Sequence, residues 1–147
     1  MLIGRPARTN QKRVPIMRSD KEMVDMIVLP WPHKSLSPNA RVHWADKAKA
    51  AKQARKDGFY IARAAGYNGQ TFAGYDGKLH LWINFYAKTR NFPDADNCLS
   101  SCKNFCDGIA DALELNDKRF VYHPFVKETT GGMVEIKITT DGSENAK

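Results

Sequence analysis

The 147-residue sequence is poor in cysteine, in long apolar runs, and in acidic residues relative to basic ones. Its three cysteines, Cys98, Cys102 and Cys106, are an odd number confined to one short stretch. A helix there would stack them at successive i, i+4 positions, which suits buried reduced thiols better than a disulfide framework. Zinc is the sharper alternative, but the paired ligand spacing is missing and a fourth ligand would have to come from afar. No apolar run approaches bilayer length, and Met1–Arg13 lacks the apolar segment of a secretory signal. The expectation is a cytoplasmic protein with no membrane partner.

The acidic deficit is uneven. Lys and Arg number 23 against 16 Asp and Glu, a net charge of +7, with a pI near 9.4. Arg5, Arg8, Lys12, Arg13, Arg18 and Lys21 crowd the first 22 residues, and Arg41, Lys47, Lys49, Lys52, Arg55, Lys56 and Arg63 crowd the stretch 41–65. A basic surface beside an acidic cluster is what a nuclease needs, to attract phosphates and hold cations. A solvated, lysine-rich helix face accounts for the charge equally well.

Apolar residues make up 42% of the chain, and the mean hydropathy is -0.54. This fits one soluble domain with polar extensions. Residues 1–23 show no period and read as a flexible basic arm; the domain spans 24–140; 141–147 is a polar tail. Val24–Pro30 reads as a first strand and Lys34–Ala40 as a loop of turn residues. Val42 to about Ala65 reads as a basic helix, with Trp44, Ala48, Ala51, Ala54, Phe59 and Ala62 at core spacing and Gly58 as its weak point. Lys78–Lys88 alternates cleanly as a strand, with Leu79, Leu81, Ile83 and Phe85 on one face. Asp94 to about Leu115 contains a second helix, whose apolar stripe is Leu99, Cys102, Phe105, Cys106, Ile109 and Leu113. Arg119–Glu128 and Gly132–Thr139 close the pattern as strands. The order predicts an α+β fold, a two-layer domain with a small mixed sheet packed against two main helices.

Chemistry concentrates in Phe92–Phe120. Asp94 and Asp96 flank Ala95 after a proline and before a helix, where two carboxylates can converge on a hard cation. Either could instead cap the helix. Lys103 lies about 20° around the helix axis from Asp96, and Asp107 about 20° to the other side. A polar row results, opposite the apolar stripe. It serves either a metal-held phosphate or a plain i, i+4 ion pair between Lys103 and Asp107. Asp117, in the loop after the helix, reaches the row only if a strand returns it; otherwise it is a turn aspartate.

Together, Pro93-Asp94-Ala95-Asp96-Asn97, Lys103, the Asp107–Leu113 segment and Asp117 resemble the RusA family of Holliday junction resolvases, common in phages and prophages. Ser37–Trp44 followed by a basic helix is similar to the region after the first strand in phage members. The resemblance covers roughly 26–139. It implies that Asp94, Asp96 and Asp117 are metal-site carboxylates and that Lys103 is needed for cleavage. It also implies a homodimer that cuts two opposing strands of a four-way junction symmetrically. Two departures stand out: Ser100 occupies the usual lysine position, and the late acidic pair is Asn116-Asp117.

The expected activity is therefore structure-selective DNA cleavage with Mg²⁺, or Mn²⁺ in its place. Arg41, Lys47, Lys49, Lys52, Arg55 and Lys56 would grip phosphates without reading sequence. A non-catalytic branched-DNA-binding protein is the alternative. A calcium loop fits poorly, because the regular oxygen-ligand series is missing.

Overall fold

The computed structural model describes residues 26–140 and Gly142. The basic arm and all of the polar tail except Gly142 lie outside the described residues, as do Val24 and Asp25 of the expected first strand. The element order is β1 (Ile27–Pro30), α1 (Trp44–Ala64), β2 (Leu79–Tyr86), α2 (Ala95–Leu113), β3 (Phe120–Val126) and β4 (Met133–Thr139). The strands form a mixed sheet in the order β1-β4-β2-β3, so the α+β class with a small sheet and two main helices stands. The expected loop before α1 contains a 3-10 turn, Lys34–Leu36, with Ser35 and Leu36 buried.

β2 is central because its alternation is the strongest in the chain. Leu79, Leu81, Ile83 and Phe85 are wholly buried. On the other face, Trp82 is covered by the His123 ring at 3.9 Å, and its Nε1 donates to Thr139 Oγ1 at 2.8 Å. β4 pairs antiparallel with both β1 and β2, whereas β3 pairs parallel with β2, Leu79 opposite Phe120. The two closing strands therefore do not pair with each other. Their connection crosses the end of β2, where Ala87 C=O accepts from the N–H groups of both Gly131 and Gly132. Gly132 has φ 70, the left-handed region that favours glycine.

Both helices cover one face of the sheet, α1 against β1 and α2 against β3, and they pack on each other. Cys102, Cys106, Ile109 and Leu113 on α2 are buried as the stripe requires, and all three cysteines are buried free thiols. The helices meet backbone to backbone. A Cβ on Gly58 would collide with the Phe105 carbonyl, and one on Gly108 with the Arg55 carbonyl. Gly58 and Gly108 together mark the closest approach, and helix propensity is sacrificed there for packing.

The α1 stripe was misjudged at its start. Ala54, Gly58 and Ala62 are buried, but every residue from Arg41 to Lys49 is exposed, and Trp44 is 75% exposed. The helices run antiparallel, since Gly58 meets Phe105 and Arg55 meets Gly108. The first turns of α1 therefore overhang the end of α2, with no α2 residue left to cover Trp44.

Gly108→Ala forces the helices apart and is expected to cost about 1–3 kcal/mol, the usual range for overpacking. Chemical denaturation measures it; an unchanged midpoint would show that the helix contact is soft.

Candidate active site

Asp94 is the N-cap residue of α2, with extended backbone, yet its side chain makes no capping hydrogen bond. Helix capping, the simpler explanation for an aspartate here, is not what its carboxylate does. Its charge reaches Cys98 instead. Burial, chiefly, and Asp94 push that thiol up to about 11, so it is an inert side chain at neutral pH. Asp96 lies in the first helical turn and is exposed.

Asp117 opens a 3-10 turn, Asp117–Arg119, between α2 and β3. Asn116 caps this turn, its side chain accepting from Lys118 N–H at 2.9 Å. Arg119 pins the other end by donating to Gly77 C=O and Tyr75 C=O, at 2.7 to 3.0 Å. Asn116 is therefore a local cap.

So anchored, Asp117 meets Asp107. Asp107 is pushed above the ordinary carboxylate range, first by burial, then by the Asp117 charge; Arg55 and Lys103 only partly offset this. Lys103 Nζ lies 4.6 Å from the centre of the Tyr122 ring. The Tyr122 hydroxyl is buried and makes no hydrogen bond among the described residues. Burial foremost, then nearby groups including Cys106, Asp117 and Asp107, keep it protonated far into the alkaline range.

Arg55 crosses from α1 and grips Asp111 through two bonds, Nε to Oδ2 at 2.7 Å and Nη2 to Oδ1 at 2.9 Å. Their hydrogen bond and attraction hold Asp111 below its usual range and raise Arg55 further. Both side chains are about half exposed, so the pair contributes little stability on its own. It does occupy Arg55, which was expected to grip phosphate. Arg41, Lys47, Lys49, Lys52 and Lys56 are all exposed and make no ion pair among the described residues.

The structure thus brings Lys103, Asp107 and Asp117 together and leaves Asp94 and Asp96 apart. Eleven residues of helix separate Asp96 from Asp107, a rise of about 16 Å. Among the described residues no three His, Cys, Asp or Glu side chains converge on a common metal position. Asp107, which the sequence placed only as the end of a polar row, is the carboxylate that meets Asp117. The signal was there in the shared helix face; the partner was not.

Fold and site define an α+β domain with an acidic-basic cluster at the joint between α2 and β3. No family model matches the chain. It is 46% identical over 121 residues to an uncharacterized protein of Xylella fastidiosa strain Temecula1, covering 82% of this chain and 78% of that protein. The chain belongs to the same family as that protein.

Because Asp107 is harder to ionise folded than unfolded, its contribution to stability is complete below the unfolded value. It is lost as pH rises through the raised folded value. Asp107→Asn is therefore expected to raise the melting temperature at pH 7 by about 1–4 °C. The gain should fade as the pH approaches 4. A gain that persists at low pH would mean that ionisation of Asp107 is not what the substitution relieves.

Proposed function

We propose that the protein is a divalent-metal-dependent endodeoxyribonuclease that resolves four-way DNA junctions by paired nicks, acting as a homodimer. The observation that carries this is the return of Asp117 to the α2 face holding Lys103 and Asp107. A turn aspartate with no role would have no reason to be pinned at both ends against another carboxylate.

The residues fit a hard cation. Two oxygen donors press together with too little positive charge between them, and the Tyr122 hydroxyl beside them has no partner. Mg²⁺ keeps several waters and takes one or two carboxylates plus substrate phosphate. A converging trio within the chain is not required for it. Asp107 and Asp117 would hold Mg²⁺, or Mn²⁺ in its place, while Asp94 and Asp96 form a second acidic pair at the α2 N-terminus. Bound there, the cation supplies charge for the scissile phosphate and a more acidic water.

The remaining work falls to the chain's own groups. Lys103, held over the Tyr122 ring, offsets charge developing on the phosphate. Arg55 keeps Asp111 neutralised, so that acid does not add to the repulsion of an incoming phosphate. Arg41, Lys47, Lys49, Lys52 and Lys56 contact the backbone, which makes affinity salt-dependent and sequence-independent. The separation of Asp94 and Asp96 from Asp117 favours a second reading, a branched-DNA-binding protein without cleavage.

On a synthetic four-way junction in Mg²⁺, Asp117→Asn and Asp107→Asn should each cut at least 100-fold more slowly than wild type while still binding. Wild-type rates in Asp117→Asn would sink the metal assignment. Binding by wild type with no cleavage in either Mg²⁺ or Mn²⁺ would establish the second reading. Junction affinity should also fall steeply between 50 and 200 mM salt, by about 0.9 log per log for each phosphate contact. A flat salt response would remove the basic helix from the interface.

A further inference from the structure

Trp44 is 75% exposed, one ring face partnered by His43 at a centroid distance of 5.5 Å. Around the α1 axis it lies in line with the buried Ala62 and about 20° from Arg55. It therefore points the way the inward face of the helix points, from a stretch where α2 has already ended. Arg55 grips Asp111 and feels the charges of Asp107 and Asp117, so Trp44 looks out on the same side as the carboxylate pair. Along the axis it stands about 16 Å from Arg55, roughly five base-pair rises.

The surroundings choose the occupant. Arg41 and Lys47 are exposed beside it, and Asp46 is the acid of the first turn. A flat ring among cations suits a ligand that is both anionic and aromatic, which is a nucleotide. Bases paired within a duplex have their faces covered by stacking; a base at a strand exchange or in a single strand offers one.

We propose that Trp44 stacks on an unpaired or branch-point base while the neighbouring cations hold the flanking phosphates, making it a specificity-determining residue for branched DNA over linear duplex. This rests on the nucleic-acid reading above and adds to it the feature of the substrate that is recognised.

The test follows tryptophan emission of the full chain, without divalent cation, as oligo-dT, linear duplex and a four-way junction are added in turn. Wild type should be quenched by oligo-dT and junction and much less by duplex. Trp44→Phe should lose most of that quench, since Trp82 is buried and Trp31 is partly buried with its ring packed on Phe85, yet keep junction affinity within about two-fold, because a phenyl ring still stacks. Trp44→Ala should weaken junction binding roughly 5- to 100-fold, the range one base–aromatic stack supplies, with duplex binding nearly unchanged. Unchanged junction affinity in Trp44→Ala overturns the proposal, as does a quench that survives in Trp44→Phe or a wild type that binds no DNA. Loss of self-association in Trp44→Ala with DNA binding intact would assign the ring to a protein contact and overturn it too. The nuclease reading is judged separately: a wild type that is quenched by the junction but never cuts it in Mg²⁺ leaves the stacking role standing and removes the cleavage.

Discussion

The crossing of α1 and α2 at Gly58 and Gly108 is the constraint on which the rest depends. With no side chain at either position, the two backbones touch, and the helices share one face of a sheet of modest width. That closeness fixes which parts of each helix are covered. It seats Arg55 against Asp111, and it leaves α1 overhanging by a little under two turns. A wider crossing would carry Arg55 out of reach of α2.

How much of this was legible in the sequence depends on whether the deciding partner was local. The alternation of β2 and the stripe of α2 are written within single elements, and both match the structure closely. The stripe of α1 was read at the correct angle, since Trp44 and Ala62 do lie in line, but no period says where the covering helix stops. Gly58 looked like a flaw in a helix because its reason, the Phe105 carbonyl, lies 47 residues away. The site was legible as a list and not as a map. Lys103 and Asp107 share a helix face by arithmetic, whereas the meeting of Asp107 with Asp117 depends on a strand pairing that no local pattern records.

That pairing explains the layout of the acids. β2 and β3 are parallel, so the chain must travel back between them, and α2 is the return. Its N-terminus, with Asp94 and Asp96, consequently lies at the far end of β2, and Asp117 lies where β3 begins. A helix of 19 residues stands between, about 28 Å long. Asp107 is far enough along α2 to meet Asp117, and Asp96 is not. The two acidic pairs are a product of the crossover itself.

The same geometry accounts for the cost carried at the joint. Two neighbouring carboxylates, both partly buried, oppose folding at neutral pH, and the arginine that could quiet them is turned to Asp111 instead. Substituting that arrangement with a neutral pair would stabilise the domain at little structural expense, because the 3-10 turn is already held by Asn116 and Arg119. Local strain kept where an easy remedy exists is characteristic of a working site. On the proposed nuclease reading, a cation would sit at the oxygen donors short of positive charge, and phosphate would be met by Lys103 and the basic overhang of α1.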